Sequence, residues 1–318
     1  MFIETEFWEQ HALVNRLQSL LLFFMMLTFL TLLGWLLLGT DGIVILLLLG
    51  LILLFFNPVA SPWLIMHLYH ATPLIFNHAP VIDSALKELA YRSGLSSSPK
   101  LYYIPSRMIN AFTVGTRDEA AIAVSDGLLK ALTQRELLGV LAHEVSHIRN
   151  NDIWVMSIAD LISRLTSMLS LFGQFLLLLN LPLLLTGYVA INWFAILLLI
   201  FAPNLSSLAQ LGLSRVREYD ADLGAARLTG DPQGLASALY KINQYSGSFF
   251  EKVMMPGRRI PVPSLLRTHP LTEERIRRLM ALNPATQPHP EQTDLSYNIG
   301  PEHILHQKPR WHINGLWH

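Results

Sequence analysis

Apolar and polar residues are spread unevenly along this chain. From residue 17 to residue 40 the run "LQSLLLFFMMLTFLTLLGWLLLGT" carries no charge, and about 20 helical residues suffice to cross a hydrocarbon core. After a tight Thr40-Asp41-Gly42 turn, "IVILLLLGLILLFF" opens a second apolar stretch that meets no charged residue before Asp83. The two runs predict a transmembrane hairpin. A cleaved leader is not expected, because the first run is too long, Glu4, Glu6 and Glu9 precede it, and no small-residue cleavage pattern follows. Residues 165–214 are again uncharged and predict a second hairpin, broken around Asn180, Pro182 and Gly187. A buried soluble helix pair or a shallow re-entrant hairpin are the alternatives for that stretch. Neither predicted hairpin turn carries Lys or Arg, so the positive-inside rule places the N-terminus and the polar segments in the cytoplasm.

The polar segments have different periods. "VIDSALKELAYRSGL" has helical spacing, while "KLYYIP" and "AAIAVSDG" read as strands. Thr133 and Glu136 have capping-box spacing, so a helix should begin at Gln134 and run through "ELLGVLAHEVSHIRNND". Further helices are predicted through "LSRVREYDADLGAARL", stopping near Gly230-Asp231-Pro232, and through "LTEERIRRLMAL". The expected organisation is a hairpin over 1–75, a first catalytic half over 76–164, a second hairpin over 165–205, a second catalytic half over 206–282, and a loosely ordered Pro- and His-rich tail over 283–318. The predicted fold is thus an α-helical membrane protein with an α+β catalytic domain and about four transmembrane helices in two hairpins.

Composition agrees with the pattern: 52% hydrophobic and 14% charged residues, with a mean hydropathy of +0.38, are too apolar for an ordinary soluble domain. The 23 basic and 23 acidic residues balance without a long run of either sign, which argues against a nucleic-acid surface. The absence of cysteine excludes disulfides, thiolate metal sites and cysteine nucleophiles, leaving His, Asp and Glu as metal ligands.

Within the predicted capped helix, "HEVSH" places His143 and His147 four residues apart, one turn up the same face. Both imidazoles can then reach one Zn2+ ion. Glu144, one residue further round, stands beside the metal's open position, where a carboxylate can take a proton from water and pass it to a leaving amine. The neighbours Leu141, Ala142, Val145 and Ile148 are apolar, and unpaired polar groups among them would be costly. A catalytic zinc also wants a third protein ligand. Glu218 in "REYDAD" is the candidate, with Asp222 one turn beyond to receive the outer N–H of a ligand histidine. Spacing alone equally permits a solvated acidic face paired with Arg215 or Arg217.

"NAFTVG", "LAHEVSHIRNND", "SRVREYDAD" and "THPLTEERI", in this order and with a hydrophobic hairpin between the second and third, resemble the HtpX-type membrane metalloproteases, relatives of the prenyl-protein-processing zinc proteases. The resemblance covers roughly residues 80 to 282. It implies a zincin-like catalytic domain, one Zn2+ per chain, and an ATP-independent endopeptidase of the bacterial inner membrane that acts from the cytoplasmic side on membrane or misfolded proteins. By motif it assigns His143, His147 and Glu218 to zinc, Glu144 to the general base, and Asp222 to the support of a ligand histidine. The tail has no counterpart in the pattern.

Other residues keep two readings each. Asn110-Ala111-Phe112 is either an edge strand that pairs with an extended substrate or a plain turn. His269, before Pro270, either hydrogen-bonds the oxyanion or caps the following helix. Asn150 and Asp152 either anchor the motif helix or are solvated at its end. His67 and His70, with Trp63 and Tyr69, have the composition of a membrane interface rather than of a metal site. Competing functions are a narrow processing protease and a non-catalytic zinc-binding or transport protein, the latter disfavoured because His143, His147 and Glu218 lie outside the uncharged runs.

Overall fold

A computed structural model of the chain describes residues 5–55, 62–74, 80–182, 192–246 and 272–282. The described chain divides into two units, residues 1–58 with 154–218, and residues 59–153 with 219–318. The cuts after residues 153 and 218 fall inside continuous helices.

The first unit is helical. Helix α1 (Thr5–Phe55) is two helices joined at Gly39, whose φ of 64° and ψ of −147° are not helical. A Cβ at Gly34 would lie 2.3 Å from Leu46 Cδ1, and one at Gly42 would lie 2.1 Å from the Gly34 carbonyl oxygen. In one straight helix residues 34 and 46 would be about 18 Å apart. The chain therefore reverses at Gly39, slightly before the predicted turn. Its limbs approach so closely that only glycines fit at 34 and 42.

In this unit, α6 (Asp152–Leu179) and α7 (Trp193–Thr229) also carry apolar stretches long enough to cross a bilayer. Among the described residues there are thus three such stretches, the first of them folded back on itself. The second predicted break is observed after Leu179, and residues 183–191 lie outside the described residues. Side chains such as Leu20, Leu21, Phe24, Leu47, Met168 and Leu171 are exposed, as a lipid solvent requires.

Pro203 lies inside α7 and cannot donate to the carbonyl of Leu199, four residues back. That carbonyl accepts instead from Ser170 Oγ and from Gln174 Nε2 (3.1 Å) on α6. A backbone group that hydrocarbon would leave unsatisfied is thereby satisfied by a neighbouring helix.

The second unit contains α2 (Pro62–Leu68), β1 (Thr72–Pro73), α3 (Pro80–Ser93), β2 (Lys100–Ile104), β3 (Ala111–Gly115), β4 (Ala120–Ser125), α4 (Asp126–Ala131), α5 (Gln134–Arg149), α8 (Pro232–Ser246) and α9 (Thr272–Ala281). The sheet order is β1-β2-β4-β3, with β2 parallel to β4 and β3 antiparallel to it. Strand β4 is buried along its whole length, which its sequence "AAIAVS" permits because both faces are apolar. Strand β3 is an edge, so its outer backbone groups have no partner strand among the described residues.

The capping box forms as its spacing predicts. Thr133 Oγ1 accepts from the Glu136 backbone, and Glu136 accepts from Thr133 N at 2.8 Å. Glu136 is also buried and binds α8, accepting from Ser237 Oγ at 2.6 Å and Lys241 Nζ at 2.7 Å. Burial by itself raises its carboxyl, but Lys241, Ser237 and Thr133 together hold it below the usual carboxylate range. A carboxylate depressed in the fold contributes stability that is present above its unfolded value of about 4.3 and lost as pH falls through the lower folded value. Glu136→Gln should therefore be about 1–3 kcal/mol less stable than wild type at neutral pH. The difference should shrink as the pH falls below 4.3, as thermal melts in detergent at several pH values would read.

Candidate metal centre

Helix α5 presents His143 and Glu144 fully buried and His147 half-buried. Among the described residues, His143, His147 and Glu218 each offer one ligand atom, all within 4.8 Å of one another. Glu218 reaches this cluster because Asp222, one turn further along the unbroken α7, contacts His143. The approach of α7 to α5 depends on Gly224, where a Cβ would lie 2.5 Å from Ser146 Oγ. Any larger residue there would push α7 away from the histidines.

The imidazoles are held from behind. His143 Nδ1 lies 3.1 Å from Asp222 Oδ1, and His147 Nδ1 lies 2.8 Å from Asp152 Oδ2. An ionised carboxylate only accepts, so each Nδ1 carries the proton and each Nε2 keeps its lone pair. The two Nε2 atoms face each other at 3.1 Å. Two nitrogens on a tetrahedral zinc, each at about 2.0–2.1 Å, stand about 3.3 Å apart. The observed separation is close to that spacing, so one ion could take both lone pairs. Two imidazoles and a carboxylate are also a donor set that zinc accepts, so the residues present fit the ion.

Three groups supplement the sequence reading. Arg275 on α9, only 3% exposed, donates to Asp222 from Nε at 2.8 Å and from Nη2 at 2.7 Å. It lies within the quoted "THPLTEERI", where nothing local distinguishes it from the arginines at 277 and 278. Thr113 on β3 donates from Oγ1 to Glu144 Oε2 at 2.5 Å. Asp152 is buried against His147 rather than solvated, because Asn151 adopts φ 56° and turns the start of α6 back toward α5. Ala111 and Phe112 open the edge strand and Asn110 immediately precedes it, with Phe112 buried. His269 falls outside the described residues, as does the tail.

A metal cradle on a helix, in a chain with bilayer-length apolar helices, places this protein among the membrane-integral metalloproteases. The description of Peptidase family M48 matches residues 77–283, and the chain belongs to that family. It is 36% identical over 259 residues to a Protease HtpX homolog of Methylibium petroleiphilum, which covers 77% of this chain and 90% of the relative. It is 34% identical over 293 residues to Protease HtpX of Legionella pneumophila strain Corby, covering 85% of this chain and all of the relative. Among solved structures, the crystal structure of S. mikatae Ste24p matches at 22% identity and a TM-score of 0.44, over 85% of this chain and 66% of that one.

Proposed function

We propose that this chain is a zinc-dependent endopeptidase that hydrolyses peptide bonds of membrane or misfolded proteins at the cytoplasmic face of a bacterial inner membrane, in membrane-protein quality control. The observation that carries the reading is the convergence of His143 Nε2 and His147 Nε2 at 3.1 Å with Glu218 in reach and Glu144 adjacent on the helix. His143, His147 and Glu218 would hold one Zn2+, which when bound lowers the pKa of water and polarises a carbonyl. Asp222 and Asp152 fix the tautomers of His143 and His147, so that both lone pairs point inward.

Glu144 serves as general base, taking the proton of the attacking water and delivering it to the leaving amine. The Thr113 hydroxyl fixes one of its oxygens, so the other is the one that moves the proton. Because Thr113 lies on the edge strand, the base is positioned by the same strand whose backbone would pair with an extended substrate through Asn110, Ala111 and Phe112. His269 is proposed to hydrogen-bond the oxyanion. The cytoplasmic orientation is supported by the charge bias of the segments flanking the apolar runs.

The test is metal content and cleavage of casein by the detergent-purified chain. One zinc per chain is expected, with activity abolished by 1,10-phenanthroline and restored by added Zn2+. Stoichiometric zinc with no cleavage of any unfolded protein would replace a broad protease by a narrow processing enzyme. No zinc in an active preparation would overturn the assignment of the ion.

A further inference from the structure

Helix α2 has seven residues and two unlike faces. Met66 is buried and Ile65 half-buried, packed with Tyr69 against Phe112 and Val114 of β3 and Ala121 and Ala123 of β4. At 100° per residue, Trp63, His67, Leu64 and Leu68 occupy one continuous arc of about 140° on the other side. All four are exposed, Trp63 by 71%, Leu64 by 39% and Leu68 by 51%. The Trp63 and His67 rings stack at 5.5 Å, so the aromatic part of the arc is pre-ordered. Among the other described residues of this unit, the exposed large apolar residues Val81, Tyr91, Met108, Tyr240 and Met280 are scattered along the chain rather than gathered on one short element.

We propose that this arc is a lipid-docking surface, seated in the headgroup region of the bilayer that the apolar helices cross. Three observations select lipid as the occupant. Only residues 56–61 separate the end of α1 from α2, a tether of at most about 25 Å when fully extended. No charged residue occurs between Asp41 and Asp83, so no Asp, Glu, Lys or Arg on this segment resists burial at the interface. Trp and His on one side of the arc, with Leu on the other, are the amphipathic mixture that membrane interfaces favour.

The docking deepens the proposed function while resting only on the membrane placement. Met66 packs on β3, and Pro62 presses against Gly115, where a Cβ would meet Pro62 Cγ at 2.7 Å and φ is 97°. Whatever plane holds α2 therefore also holds the edge strand and Thr113, which contacts Glu144. The edge strand would lie close to the lipid surface, where a segment emerging from the membrane can pair with it.

The chain contains no cysteine, so a single introduced one carries a label without ambiguity. Leu64→Cys, Leu68→Cys and, as a reference on α3, Tyr91→Cys would each be nitroxide-labelled. The full chain would be placed in phosphatidylethanolamine and phosphatidylglycerol vesicles, and collisions with oxygen and with a water-soluble nickel chelate measured. The oxygen-to-nickel accessibility ratio is expected to be several-fold higher at 64 and 68 than at 91, where the side chain is 82% exposed. Equal ratios at the three positions would overturn the proposal in favour of a solvated face. Low accessibility to both reagents with spin–spin broadening at 64 and 68 would overturn it in favour of contact with a second copy. Neither readout depends on cleavage, so failure of the docking and failure of the protease reading are told apart.

Discussion

Glu144→Gln should bind zinc as the wild type does and lose about 10²- to 10⁴-fold in cleavage rate, the range by which a positioned base accelerates proton transfer. The side chain keeps its shape, and the amide oxygen can still accept from Thr113 Oγ1, which now donates to Glu144 at 2.5 Å. Glu144 is not one of the three side chains whose ligand atoms converge within 4.8 Å, so the metal should remain. What is lost is the ability to accept a proton at neutral pH, since an amide is not a base. Zinc analysis and casein cleavage on the two purified proteins side by side would read both properties. Cleavage undiminished in the variant would remove Glu144 from the mechanism. Loss of zinc together with cleavage would instead make it part of the metal's support.

Asp222→Ala should have the largest effect on stability. Arg275 is 3% exposed and donates two hydrogen bonds to this carboxylate, so removing Asp222 leaves a buried guanidinium without them. Breaking a buried ion pair from one side costs about 3–5 kcal/mol, because the remaining charge stays desolvated. His143 Nδ1 also loses the acceptor that fixes its tautomer, and supports of this kind are worth about 10–100-fold in metal affinity. Asp152→Ala removes the corresponding acceptor of His147, so it should share the loss of metal affinity. Thermal melts with and without zinc, and competition with a chromogenic chelator, separate the two effects. An Asp222→Ala protein that melts and binds zinc like the wild type would show that the Arg275–Asp222–His143 chain bears no weight.

The elements that were legible in advance are those with a local signal. The capped start of α5 followed from Thr133 and Glu136, the stop of α7 from Gly230, and the reversal within α1 from a break in an otherwise uncharged run. Helix α7 is one rod from 193 to 229, because Pro203 is tolerated where Ser170 and Gln174 satisfy the carbonyl it frees. The alternation of the strand at 111–115 is too short to be decisive alone, and its pairing with β4 shows it to be an edge.

The amino-acid order by itself determined which stretches can enter a bilayer, since hydrophobic length is a sum over neighbours. It also determined that His143, Glu144 and His147 share one helix, because helical spacing is a property of consecutive residues. Only the tertiary structure decided whether Glu218 joins them or is solvated beside Arg215 and Arg217. That outcome depends on how closely α7 can approach α5 at Gly224 and Ser146. The same holds for Arg275, which is 53 residues from Asp222 and 132 from His143, and for Thr113, which is 31 residues from Glu144. Side chains brought together by packing leave no periodic mark in the chain, because the energy that selects them comes from the contact itself.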